Sequence, residues 1–127
     1  MTGGSDILVV EDEAAMADAM LRMLSITGYA ARRAENGLQA LKAVAKQRPA
    51  LVLLDILMPV MDGWQCAREL RSRYGDSLPI VIVTAAEHVR ARAAALSADD
   101  VLAKPFEMQD FLAVVARYAA HCRAKTD

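Results

Sequence analysis

The sequence predicts an α/β fold: a single domain built on one parallel five-stranded sheet with helices on both faces. Three observations point to it. Short apolar runs alternate five times with segments whose apolar residues recur every three or four positions. The runs are continuous rather than alternating with polar residues, as strands covered on both sides require. Four of them also end in a charged or hydroxyl side chain, which suits a sheet whose carboxyl edge carries a site.

The elements follow in order. Ile7–Val10 is β1, and residues 13–27 form α1, with Met16, Met20, Met23 and Leu24 on one face and Gly28 as the stop. Residues 29–33 make β2, a weaker strand. Asn36 then caps α2, which carries Leu38, Leu41 and Val44 and ends before Pro49. Leu51–Asp55 is β3. After a loop holding Pro59 and Gly63 comes α3, with Cys66, Ala67 and Leu70 inward and Trp64 packed at its start. Residues 79–83 are β4, and the alanine-rich stretch 87–96 is α4, with Val89, Ala93 and Leu96 on one stripe. Residues 101–103 are β5. Residues 107–121 form α5, with Met108, Phe111, Leu112, Val115 and Ala119 at helical spacing. Five such units suit a flavodoxin-like (βα)5 three-layer sandwich with strand order 2-1-3-4-5.

Composition narrows the function classes. At 127 residues and 55% hydrophobic content, one domain can bury its own core. A formal net charge of -1 argues against an electrostatic footprint for nucleic acid or an anionic membrane. Cys66 and Cys122 lack a metal or redox spacing, so a reduced cytoplasmic setting is expected. The start MTGGSD has no positive region of a signal peptide, and no apolar run approaches the roughly 20 residues of a membrane span.

Strand ends carry the chemistry. β1 runs into Glu11 and Asp12, β3 delivers Asp55, residues 79–86 bring the hydroxyl of Thr84, and β5 brings the ammonium of Lys104. In an open parallel sheet these ends share one edge, so acids, hydroxyl and amine would meet. Each residue has an ordinary structural reading alone: Asp55 a surface acid closing a strand, Thr84 a β-branched strand residue, Lys104 a solvated lysine. Their joint appearance favours a site.

Across essentially the whole chain these residues resemble the receiver domain of two-component response regulators. Glu11-Asp12, Asp55 followed by Met58-Pro59 and Asp62-Gly63, Thr84-Ala85 and Lys104-Pro105-Phe106 match its motifs in order and spacing. The resemblance implies that Asp55 accepts a phosphoryl group, and that Asp12, Asp55 and the Leu57 carbonyl bind Mg2+ with Glu11 acting through water. It further implies that Thr84 and Lys104 contact the phosphoryl oxygens. A sensor histidine kinase or phosphotransfer protein would be the donor. A conformational change at the α4-β5-α5 surface would reach a downstream protein target, without direct contact to nucleic acid or membrane. Such a domain is no enzyme beyond its own phosphorylation and dephosphorylation.

Two positions depart from that pattern. Val101 stands where many members carry an aromatic side chain, which puts aromatic switching in question, and Ser97 stands where glycine is common. On α5, Val114 and Tyr118 lie off the core stripe and, with Arg90 and Arg92 of α4, form a candidate partner patch. An ordinary amphipathic helix face is the competing reading. With no output domain after α5, the sequence predicts a stand-alone regulator, or else a receiver taken from a hybrid kinase or larger regulator. A haloacid dehalogenase-type phosphatase would need an acid two residues after its nucleophile; Leu57 occupies that position and cannot transfer a proton.

Overall fold

The computed structural model describes residues 6–55, 63–84, 98–104 and 106–119. Five parallel strands pair in the order β2-β1-β3-β4-β5, as expected. Their bounds are Ile7–Val10, Ala31–Ala34, Leu51–Asp55, Ile80–Thr84 and Asp100–Ala103. Four helices lie among the described residues: α1 Ala14–Ile26, α2 Gly37–Lys46, α3 Gly63–Tyr74 and α5 Met108–Ala119. The expected α4, with Arg90 and Arg92, lies outside them, as do Ser97 and Cys122.

Strand alternation sorts the core into two layers. Leu8, Val10, Val52, Leu54, Ile80 and Ile82 face Leu41, Val44, Cys66 and Leu70 of α2 and α3. Ile7, Val9, Leu51, Leu53, Val81 and Val83 face Met20, Leu24, Phe111 and Val115 of α1 and α5. β1 pairs residue for residue with both neighbours, Ile7 opposite Ala31 and Leu51. A slip of one residue would exchange the two layers, so packing on both faces pins the register. Phe111 is fully buried, and truncating it to alanine would cost about 3–5 kcal/mol.

Local chemistry sets the boundaries. Gly28, at φ 96°, closes α1: its N–H donates to the Ser25 carbonyl, and the Tyr29 N–H donates to Leu24. This is a Schellman ending, with Tyr29 and Leu24 in the same core layer. It spends the Tyr29 N–H on the turn, so β2 starts at Ala31 rather than 29. The Asn36 side chain accepts from the Gln39 N–H at 2.9 Å, and Gln39 accepts in return from the Glu35 N–H. The Asn36 cap starts α2 as the sequence predicts, and the Gln39 bond to Glu35 closes the turn before it.

Two apolar side chains at helical spacing face solvent. Leu38 is exposed because the buried stripe of α2 runs through Gly37, Ala40, Leu41 and Val44 and leaves position 38 on its flank. Met108 is exposed because α5 buries Phe111, Val115 and Ala119, spaced four apart, and its first turn lies before that stripe.

The amino edge of the sheet is tied by ion pairs. Arg32 Nε donates to Asp6 Oδ2 at 2.6 Å while its terminal nitrogens reach the carbonyls of Ala43 and Gln47 at the end of α2. A cation there suits the helix dipole. Arg71, on α3, bonds the carbonyls of Gly75 and Leu78 and the Asp99 carboxylate at 2.8 Å; that same carboxylate accepts from the Ile80 N–H.

Candidate functional site

The carboxyl edge gathers the residues the sequence singled out. β1 ends at Val10, so Glu11 and Asp12 leave the sheet directly; Asp55 is the last residue of β3; Lys104 follows β5. Carboxylate oxygens of Glu11, Asp12 and Asp55 all lie within 4.8 Å of one another. Lys104 Nζ sits 2.8 Å from Glu11 Oε1 and 3.7 Å from Asp55 Oδ2. Thr84 is the last residue of β4, its backbone opposite Ala103 in β5. The Leu57 carbonyl, Met58, Pro59, Asp62, Ala85 and Pro105 lie outside the described residues.

Burial differs across the cluster. Glu11 is 2% and Asp55 6% exposed, whereas Asp12 is exposed to solvent. The Glu11 carboxylate is held on both oxygens, by Lys104 and by the Glu13 N–H at 3.3 Å, which offsets the cost of burying its charge. Lys104 is anchored from beyond. Phe106 stacks on Phe111 with ring centroids 5.3 Å apart, tying the chain after β5 to the core.

Among the described residues three carboxylates meet here, and Lys104 contacts two of them. The side-chain donors are all carboxylate oxygens, the set that hard divalent cations take, and the exposed Asp12 keeps one side open.

A family model described as the response regulator receiver domain matches residues 7–116. The chain belongs to this family. The response regulator MprA of Mycobacterium sp. (strain KMS) is 45% identical over 109 residues, covering 84% of this chain and 47% of that protein. The chain thus spans about half the length of the curated relatives it matches. The response regulator TrrA of Thermotoga maritima, solved in complex with Mg2+-BeF, superposes at a TM-score of 0.83 with 34% identity, covering 89% of this chain and 97% of that one. The receiver domain of a sensor histidine kinase of Pseudomonas aeruginosa superposes at 0.83 with 30% identity, covering 93% of this chain and 99% of that one. That structure has a magnesium ion coordinated in its active site cleft.

Away from the acids, Val101 is partly buried against the layer of α2 and α3. Val114 and Tyr118 are partly buried against the opposite layer. The Tyr118 hydroxyl donates to the Asp99 carbonyl at 2.9 Å and lies 3.3 Å from Asp100 Oδ2; burial, then the Asp100 charge, push its pKa up. Arg117 pairs with Asp100 at 2.7 Å. Cys66 is core, as expected, and its thiol is pushed up to about 12 by burial and by Glu69. No helix among the described residues is long and apolar enough to cross a membrane.

Arg33 was absent from the sequence-based site. From β2 its Nε donates to the Glu11 carbonyl and its Nη2 to the Asp12 carbonyl, each at 3.1 Å. Adjacent Arg32 and Arg33 read alike in sequence, and only strand alternation at the β1 pairing separates their targets.

Proposed function

We propose that this receiver accepts a phosphoryl group on Asp55 in a Mg2+-dependent reaction. The donor is a histidine kinase or phosphotransfer protein acting in the cytoplasm. The observation that carries the reading is the meeting of three carboxylates within 4.8 Å, with Lys104 against two of them, Glu11 and Asp55.

Moving a phosphoryl group onto a carboxylate brings negative charge toward negative charge, so positioning and neutralisation supply the catalysis. Asp12 and Asp55, with the Leu57 carbonyl, would hold the ion and Glu11 would reach it through water; when bound, the ion supplies charge neutralisation and orientation. Asp55 supplies the attacking oxygen: its O–P bond forms as the P–N bond of the donor phosphohistidine breaks and the imidazole leaves with the electron pair. Lys104, already 3.7 Å from Asp55 Oδ2, faces the incoming oxygens. Thr84 is the lever for signalling: a hydroxyl drawn to the phosphoryl oxygens carries the chain after β4 with it and biases the α4-β5-α5 surface. Arg90, Val114 and Tyr118 are the candidate contacts there, for a protein target.

Intact mass after incubation with acetyl phosphate and Mg2+ tests the reading, for wild type and for Asp55→Asn. A single phosphoryl adduct that needs Mg2+ and disappears in the variant supports it. An adduct that persists in Asp55→Asn removes it, and so does the lack of any adduct in folded wild type from both acetyl phosphate and a phosphorylated histidine kinase; none from acetyl phosphate alone points to a kinase-dependent module.

A further inference from the structure

We propose that Arg33 is a positioning residue for the cation-binding acids, resting on the reading of the site given above. An arginine on an outer strand is ordinarily a solvated side chain. Here two of its donors go to consecutive carbonyls, those of Glu11 and Asp12, each at 3.1 Å. The Glu11 N–H is also taken, by the Ala34 carbonyl at 3.1 Å. The segment where the chain leaves β1 is therefore laced to β2 by three bonds, two of them from one planar, rigid fork.

That matters most for Asp12. Its carboxylate is exposed and makes none of the ion pairs among the described residues, so its position is set by its backbone. Fixing the peptides on either side of Asp12 determines where its oxygens stand relative to Asp55. A loosened backbone would have to be ordered again on each binding event, which lowers affinity.

The proposal has a decisive sign. As a charge, a guanidinium bonded to two of the acidic residues opposes a divalent cation, so removing it would tighten binding. As a positioning group it favours the cation, so removing it weakens binding. Arg33→Lys separates the two further, keeping the charge and losing the fork.

The experiment is calorimetric titration of MgCl2 into wild type, Arg33→Gln, Arg33→Lys and Arg32→Lys, each with its melting temperature. Both Arg33 variants are expected to bind Mg2+ about 10-fold more weakly, the usual penalty for losing a group that orients metal ligands. Saturating Mg2+ is expected to restore their phosphoryl adduct. Arg32→Lys, which disturbs the amino-edge clamp, is expected to melt lower at unchanged Mg2+ affinity. Tighter or unchanged binding in Arg33→Gln overturns the proposal. So does wild-type affinity in Arg33→Lys, or an equal loss in Arg32→Lys. Should wild type bind no Mg2+, the reading of the site fails first and this inference falls with it; wild-type binding with unmoved variants sinks the inference alone. Should Arg33→Gln not fold, Arg33→Lys against Arg32→Lys decides.

Discussion

At the amino edge of the sheet, Asp6 faces Arg32 at 2.6 Å and Asp99 faces Arg71 at 2.8 Å; at the carboxyl edge, Glu11, Asp12 and Asp55 come together, with Lys104 against Glu11 and Asp55. The amino-edge acids each have a guanidinium, and those guanidiniums also satisfy carbonyls at the end of α2 and just after α3. Charge there is spent on holding elements together. At the other edge, among the described residues, three carboxylates come within 4.8 Å of one another, and their mutual repulsion is what a cation would relieve. One sheet thus separates structural charge from chemical charge by some four strand residues of distance along β1.

Breaking the comparison at its strongest point means removing Lys104. Lys104→Met leaves the buried Glu11 carboxylate without its cation, and a loss of about 3 kcal/mol is expected in urea unfolding without divalent ions, with part of it recovered by Mg2+. A loss no larger than that of an exposed lysine would mean that the two edges do not differ in kind.

Next in size is the amino-edge clamp. Asp99→Asn weakens both the Arg71 bond and the bond from the Ile80 N–H, for an expected cost of about 2 kcal/mol that is the same with and without Mg2+. A Mg2+-dependent cost would show that the edges communicate.

Asp12→Asn sharpens the contrast through its sign. Relieving repulsion at the exposed acid should stabilise the Mg2+-free protein by about 1 kcal/mol, the water-like Coulomb value at this spacing, and abolish the rise in melting temperature that Mg2+ gives wild type. Destabilisation instead would mean that Asp12 has a structural role like that of Asp6.

The smallest effect belongs to a residue at neither edge. The Cys66 thiol is raised from 9.0 to about 12, so the folded protein holds this proton more tightly than the unfolded chain does. That contribution to stability is complete below about pH 9 and is lost as pH rises toward 12. Peptide-resolved alkylation should accordingly find Cys66 inert in the native protein at neutral pH, and fast labelling would place it outside the core.

Much of this molecule was legible in its sequence, and the reason is local. The apolar runs of β1, β3 and β4, the Asn36 cap and the Gly28 stop each act over a few residues, so periodicity and capping chemistry report them directly. The order in which runs end in acid, acid, hydroxyl and amine is equally a property of the string, and a parallel sheet forces those ends to one edge. Where local signals were even, packing decided. Leu38 and Met108 fall at helical spacing, yet the stripe that meets the sheet lies elsewhere on each helix.

Tertiary structure alone assigned the charges to one another. Glu11 and Lys104 stand 93 positions apart and become partners because strand order brings β1 and β5 to the same edge across β3 and β4. Arg32 and Arg33 are neighbours in the string and take different partners, because side chains alternate to opposite faces of a strand and the β1–β2 register fixes which groups each can reach. Propensity is set within a few residues, whereas an ion pair depends on a distance that only the assembled sheet defines.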